Sequence, residues 1–453
     1  MTVTDEQTEA GGEATPWFLA GNYGPVPDER TDVDLEVTGA VPPELSGLYL
    51  RNGSNPKSGS AGHWFFGDGM VHGLRLEGGK AAWYRNRWVR TTKFERDLDA
   101  MDPEAMMDPT ASAANTHVVG HAGRILALEE GHFPYLLSPE LETLGCEDYG
   151  GALSTAFTAH PKLCAETGEL HFFGYSPFPP HLTYHVLDAG GALVHSAPIT
   201  VPKGTMMHDF MITREHAIFM DLPVVFELDM DAMARGEAPI RWDDDYGARI
   251  GIVPRMGTDA DVQWFEIDPC YVFHPLNAYV EGDTVVCDVG RHESMWRESM
   301  EDFPPSYLYR WTFDLAKGTH TETQLDDASH GFPRVDERLV GLKHRYGWAA
   351  TPRPGSKNRF DDAGMVVKYD LSDNSSTVHD FGPTSHPGEF VFVPAEDASG
   401  EDEGYAMGFV YDSATDTSDL VILDGTDMAA DPVARVHLPR RVPFGFHGSW
   451  IGD

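Results

Sequence analysis

Four histidines sit in matching surroundings: His160 in FTAHPK, His208 in TMMHDFMI, His274 in YVFHPLNAY and His447 in PFGFHGSW. Each ends an apolar run and is followed by Pro, Asp or Gly, the place where a strand gives way to a loop. Neutral imidazole is a good ligand for iron, zinc or copper. Four of them leave a divalent metal with its whole charge, whereas two His and one carboxylate would neutralise part of it. Compensation then falls to carboxylates that accept hydrogen bonds from the outer ring N–H groups. Glu130 in ILALEEG and Glu389 in HPGEFVFVP suit that task by motif, the plain alternative being edge-of-strand residues on a solvated surface. With 21 His in 453 residues, any one alone is most often a surface or satisfied core residue, so the shared context is the signal.

Ligands so far apart need a scaffold that brings them to one point. Their separations of 48, 66 and 173 residues are about one, one and three units of a loose repeat. In that repeat an apolar run ends in Asp or Ser, a polar turn follows, and a second apolar run returns. Ser138, Asp188, Asp229, Asp314, Asp370 and Asp424 mark it, and the gap of 85 residues before Asp314 has room for one more unit. A hairpin returning at this interval predicts an all-β chain arranged as a β-propeller, with a large irregular β-sandwich as the alternative. Four elements of a ring, each giving one inward His, would converge on the central channel. The one helical candidate is the short stretch Asp99–Met107.

An apolar share of 41% and an aromatic share of 11% suffice for a folded core. The 46 glycines and 32 prolines favour short elements joined by turns over long helices. A net charge of −39, from 33 basic and 72 acidic residues, repels nucleic acid and anionic lipid, so no nucleic-acid partner is expected. Cys146, Cys164, Cys270 and Cys287 form no CxxC pair, which argues against a zinc knuckle or a disulfide framework. Residues 1–16 read as a disordered acidic tail and 17–453 as a single domain. No signal-like start and no long apolar run is seen, and a cytoplasmic protein is expected.

At this point the chain resembles the carotenoid cleavage oxygenases, non-haem iron enzymes that split conjugated alkenes with O2. The likeness is carried in order by GLYLRNGSNP (47–56), HWFFGDGMVHGLRL (63–76), FTAHPKLCAETGELHFFGY (157–175), MMHDFMIT (206–213), FHPLNAYVEGDTVVCDV (273–289), FPRVDERLVG (332–341), PGEFVFVP (387–394) and PFGFHGSW (443–450). It implies a seven-bladed β-propeller, capped on one face by loops and short helices. One Fe(II) per chain would lie on the axis, held by His160, His208, His274 and His447. The family sets three glutamates behind its imidazoles; Glu130 matches the first and Glu389 the third. The second would precede FPR, where this chain has Gly331. His274 would then be oriented by water, a backbone carbonyl, Ser329 or His330, and iron would be held less tightly than is usual for the family. Thr116 in ANTHVV matches a position whose methyl group crowds an open iron position; a strand Thr in the core is the equal alternative.

The implied reaction is cleavage of a C=C bond of a carotenoid or apocarotenoid, with O2 as co-substrate and two carbonyl products. No general acid or base stands out, so the protein's part is to hold an apolar conjugated substrate by the iron and exclude water. Aromatic stretches at 172–184, 132–137 and 293–309 are candidates for a tunnel lining, although propeller core is the commoner use of any one such residue. The stilbene-cleaving branch carries Lys just before the first glutamate; Glu129 stands there, which favours a carotenoid or apocarotenoid over a stilbene. A metal-binding propeller without oxygenase activity is the reading Gly331 keeps open. A cation-dependent lactonase would need carboxylate and carbonyl ligands instead. An apolar tunnel mouth would touch a membrane surface transiently for substrate uptake, and the sequence leaves the oligomeric state open.

Overall fold

The structure, a computed structural model, describes residues 15–228, 239–354 and 363–453. Short runs rich in β-branched and aromatic residues, bounded by Gly and Asp turns, form antiparallel strands throughout. Five sheets each have four strands in chain order, consecutive in four of them and interrupted by an inserted pair in the fifth. They run from His117–His121 to Thr143–Cys146, Lys162–Leu163 to Leu193–Pro198, Met211–Ile212 to Gln263–Ile267, Tyr271–Glu281 to Thr319–Ser329, and Gly331–Arg334 to Ser375–Asp380.

Two further sheets draw on both ends of the described chain. Val37–Gly39 adds to Ala434–His437 at the outer edge of the sheet containing Gly404–Asp412 and Thr417–Asp424. Gly448–Gly452 adds to Gly47–Ser54, with Leu50 opposite Ser449, as the inner edge of the first sheet. These seven sheets are the blades of a β-propeller, and the two exchanged strands close the ring, leaving no open seam. Gly448 makes the closure fit, since a Cβ there would lie 2.5 Å from the Leu50 carbonyl oxygen. Blades interlock through large buried side chains: Trp348 stacks on Phe392 of the next blade at 4.3 Å, and Trp311 and Phe313 pack with Ile250 and Phe265.

The repeat markers locate the turn between third and fourth strands at Ser138, Asp188, Asp314, Asp370 and Asp424. Asp229 lies outside the described residues, between Val224–Phe226 and Ile240–Trp242, a separate pair inserted between the second and third strands of its blade. The corresponding turn of that blade falls instead between Ala248–Pro254 and Gln263–Ile267. The first blade turns at Gly78 and Gly79 after Glu77 and carries no Asp or Ser marker. Helix is confined to Thr92–Arg96 and Pro103–Met107 among the described residues. Both belong to a cap with the short turns Trp17–Leu19, Gly21–Tyr23 and Trp64–Phe66, whose aromatic side chains pack with Phe332, Phe444 and Phe446. Of the predicted tail, only Thr15 and Pro16 are described, and both are exposed. No described helix is long and apolar enough to cross a membrane.

Candidate metal centre

The four histidines occupy equivalent places in the ring. His160 and His208 lie two and three residues before the innermost strands Lys162–Leu163 and Met211–Ile212, His274 lies within Tyr271–Glu281, and His447 directly precedes Gly448–Gly452. Three consecutive blades and then the ring-closing blade, three further on, supply one each, which is the interval their spacing predicts.

Their Nε2 atoms meet. His160 and His208 are 3.0 Å apart, His208 and His274 3.1 Å, and His274 and His447 3.1 Å, and one ligand atom from each lies within 4.8 Å of all the others. Nitrogens bound about 2.1 Å from a metal and about 90° apart would stand about 3.0 Å from each other. Burial, reinforced by the neighbouring imidazoles, holds His160 and His274 far below the ordinary His range, so both rings are neutral. His447 gives its Nδ1 proton to Glu389 Oε1 at 2.9 Å, which leaves the Nε2 lone pair turned inward. Lone pairs facing at this distance repel one another, and a divalent cation between them removes the conflict. The donor set fits a metal.

The supporting carboxylates differ in kind. His208 Nδ1 lies 2.5 Å from Glu130 Oε1, and Tyr175 donates to Glu130 Oε2 at 2.6 Å. Glu389 accepts from the Gly448 N–H at 2.8 Å and pairs with Arg334 at 3.0 Å. Burial would raise the Glu389 carboxyl, but Arg334 and His447 outweigh it and hold the group well below the usual carboxylate range. Asp209 Oδ2 is 3.7 Å from His160 Nδ1, while its other oxygen pairs with Lys162 at 2.7 Å.

His274 pairs with no carboxylate among the described residues. Phe332 stacks on its ring instead, at 5.6 Å and 28°. To do so Phe332 takes φ +53°, a left-handed conformation that a bulky residue keeps only where its surroundings enforce it. His330 turns toward Tyr369 at 5.8 Å, and the Ser329 carbonyl accepts from Thr351. A fifth ring, His117, ties two ligand segments together: Nδ1 donates to the Ala159 carbonyl at 2.8 Å, and Nε2 lies 3.3 Å from Ser449 Oγ. Burial lowers its pKa to about 3.

Two cavities meet at the imidazoles. An apolar chamber of roughly 210 Å³ is walled by Trp64, Phe65, Phe273, Phe303, Phe332 and Phe446, and His208, His274 and His447 reach it. An axial channel of roughly 820 Å³ is lined by Lys162, Asp209, Arg334 and Glu389, and His160, His274 and His447 reach it. Thr116 lines the chamber, and its hydroxyl donates to Asn115 Oδ1 at 2.9 Å. Of the expected lining, Tyr175 from 172–184 and Met300 and Phe303 from 293–309 are in the wall, and nothing from 132–137 is. Trp64–Phe66, Phe226, Ile240 and Phe446 were not anticipated. Three successive aromatics after a Gly/Ser-rich loop, at 64–66, were the signal for the first of these.

Comparison with known proteins agrees with this geometry. The family model described as retinal pigment epithelial membrane protein matches residues 23–452. A carotenoid cleavage oxygenase of Mycobacterium tuberculosis is 37% identical over 501 residues, covering 98% of this chain and 99% of that protein. A carotenoid 9,10(9',10')-cleavage dioxygenase of Crocus sativus is 35% identical, covering 96% and 89%. Among solved structures, lignostilbene dioxygenase of Pseudomonas brassicacearum superimposes with a TM-score of 0.88 at 29% identity over 97% of this chain and all of that one. Cobalt-substituted Synechocystis apocarotenoid oxygenase gives 0.85 at 26% identity, over 96% and 98%. The chain belongs to the carotenoid cleavage oxygenase family and is an oxidoreductase of that family.

Proposed function

We propose that the protein is an Fe(II)-dependent dioxygenase that cleaves a C=C bond of a carotenoid or apocarotenoid with O2, giving two carbonyl products. The observation that carries this is the convergence of four Nε2 atoms beside an aromatic chamber that three of the four rings reach. His160, His208, His274 and His447 would hold the iron, one per chain. Bound there, Fe(II) supplies the electron density that lets O2 react with an alkene, which zinc does not.

The rest is done by side chains. Glu130 and Glu389 orient His208 and His447 and offset the metal's charge. The Thr116 methyl limits the space beside the imidazoles. The aromatic wall holds the polyene flat and keeps water out, so the protein's contribution is placement. Four imidazole ligands on a six-coordinate metal would leave places open for O2. Met106 and Met107, 39% and 73% exposed on Pro103–Met107 and close in sequence to Met101 of the chamber wall, form an apolar lip suited to transient contact with a lipid surface. Four free cysteines suit a reducing cytoplasm.

The test is an aerobic assay of Fe(II)-loaded protein with an apocarotenal and a hydroxystilbene, products identified by mass. Paired carbonyl products from the apocarotenal are expected, and their masses name the bond. Cleavage of the stilbene alone would move the protein to the stilbene branch, and bound iron with no cleavage of either would overturn the oxygenase reading.

A further inference from the structure

The imidazole set is braced on one side by a ring that gives it no ligand atom. His160 and His208, His208 and His274, and His274 and His447 face each other Nε2 to Nε2 at 3.0, 3.1 and 3.1 Å. The remaining neighbours, His160 and His447, stand with their rings 4.4 Å apart at 81°. His117 is set beside that pair, its ring centre 5.9 Å from that of His160 and 5.4 Å from that of His447. It is buried, and it lies on the channel side.

Its hydrogen bonds run to the segments that carry those two ligands. Nδ1–H donates to the buried Ala159 carbonyl at 2.8 Å, one residue before His160. Nε2 lies 3.3 Å from both the Gly448 carbonyl and the Ser449 hydroxyl, just past His447. Arg334 Nη1 donates to that carbonyl at 2.9 Å, so the Ser449 hydroxyl is the group that Nε2 accepts from. Burial keeps the ring neutral, with one proton to give and one lone pair to fill, and both are used. The backbone under the ring is tied as well. Asn52 Nδ2 donates to the carbonyls of Ala114 at 2.8 Å and His117 at 3.1 Å, and the His447 N–H donates to the Thr116 carbonyl at 3.0 Å. A strut fixed at its base therefore spans Ala159 and Ser449.

Resting on the metal site of the reading above, we infer that His117 is a positioning residue that holds the His160 and His447 segments at a set separation and so fixes the angle at which two of the four rings meet the iron. Glu389 orients a single ring through its Nδ1. His117 acts instead on the distance between two backbones.

Nitric oxide added to the Fe(II)-loaded protein reports that angle by EPR, with no polyene present. His117→Phe keeps a ring and loses both hydrogen bonds, whereas His117→Gln keeps one donor and one acceptor. The Phe variant should change the rhombic splitting of the NO signal and speed iron release to a chelator by about 10- to 100-fold, as for partners one step from a ligand. The Gln variant should return both towards wild type. Ser449→Ala should shift the signal in the same direction as Phe by a smaller amount, and it serves if the Phe variant does not fold. A role confined to packing would lower the denaturant midpoint and leave the NO signal unmoved. An unchanged signal and release rate in His117→Phe, or in Ser449→Ala where Phe does not fold, overturns the inference. Iron-loaded wild type that cleaves no polyene would remove the oxygenase reading and leave this one standing, and wild type that binds no iron would bring down both.

Discussion

The chamber and the axial channel share two of the four imidazoles and are otherwise opposites. On the chamber side the walls are aromatic, and the one carboxylate behind a ligand, Glu130, is matched by the neutral Tyr175. On the channel side Glu389 and Asp209 face Arg334 and Lys162, so each carboxylate has its own cation. Charge balance for a metal is thus managed mostly from below, away from the face where an apolar substrate would lie. A dry chamber and a charged centre can coexist because the layer of rings separates them.

Removing a ring would have the largest effect. His208 reaches only the chamber and His160 only the channel, yet both His208→Ala and His160→Ala should lose bound iron almost entirely by metal analysis, with the far-UV CD spectrum kept. Iron retained by one of them would show that one cavity alone builds the site. Next come the carboxylates, where the two sides should part. Glu389→Gln leaves Arg334 only the half-exposed Glu337 as a carboxylate partner and should destabilise metal-free protein by about 3 kcal/mol. Glu130→Gln strands no cation and should cost about 1–2 kcal/mol. Denaturant titration of both reads the difference, and equal losses would erase the contrast. The smallest change concerns His274. Phe332→Leu should speed iron release by less than about 10-fold, and Gly331→Glu should slow it by a similar factor, both followed with a chelator. No effect of either would mean that His274 needs no oriented neighbour.

Much of this arrangement was legible in the residues. Each of the four His motifs pairs an apolar run with a breaker, and that local grammar is what an inner strand of a blade requires. The hairpin rhythm exposed five of the seven outer turns, because an Asp or Ser closing a turn leaves a mark in sequence. It failed at Asp229, where an inserted strand pair mimics a blade hairpin, and in the first blade, where two glycines make the turn. The chamber wall was only partly visible. Trp64, Phe226 and Phe446 come from three distant segments, and nothing in a single sequence ties them to one space. The stacking of Phe332 on His274 was hidden for a related reason. The absent carboxylate at Gly331 could be read, but nothing in the sequence assigns a role to the aromatic beside it. Partners such as Arg334 for Glu389 and Tyr175 for Glu130 are long-range pairings that only the folded ring creates.

The claim on which the rest depends is that four imidazoles, and no carboxylate, bind one iron between these cavities. X-ray absorption at the iron edge of protein loaded with one Fe(II) per chain addresses it directly. Four imidazole rings around the iron, lost together with the bound metal in His208→Ala, are the predicted result. A coordination shell with a carboxylate oxygen from Glu130, Asp209 or Glu389 in place of a ring would contradict it.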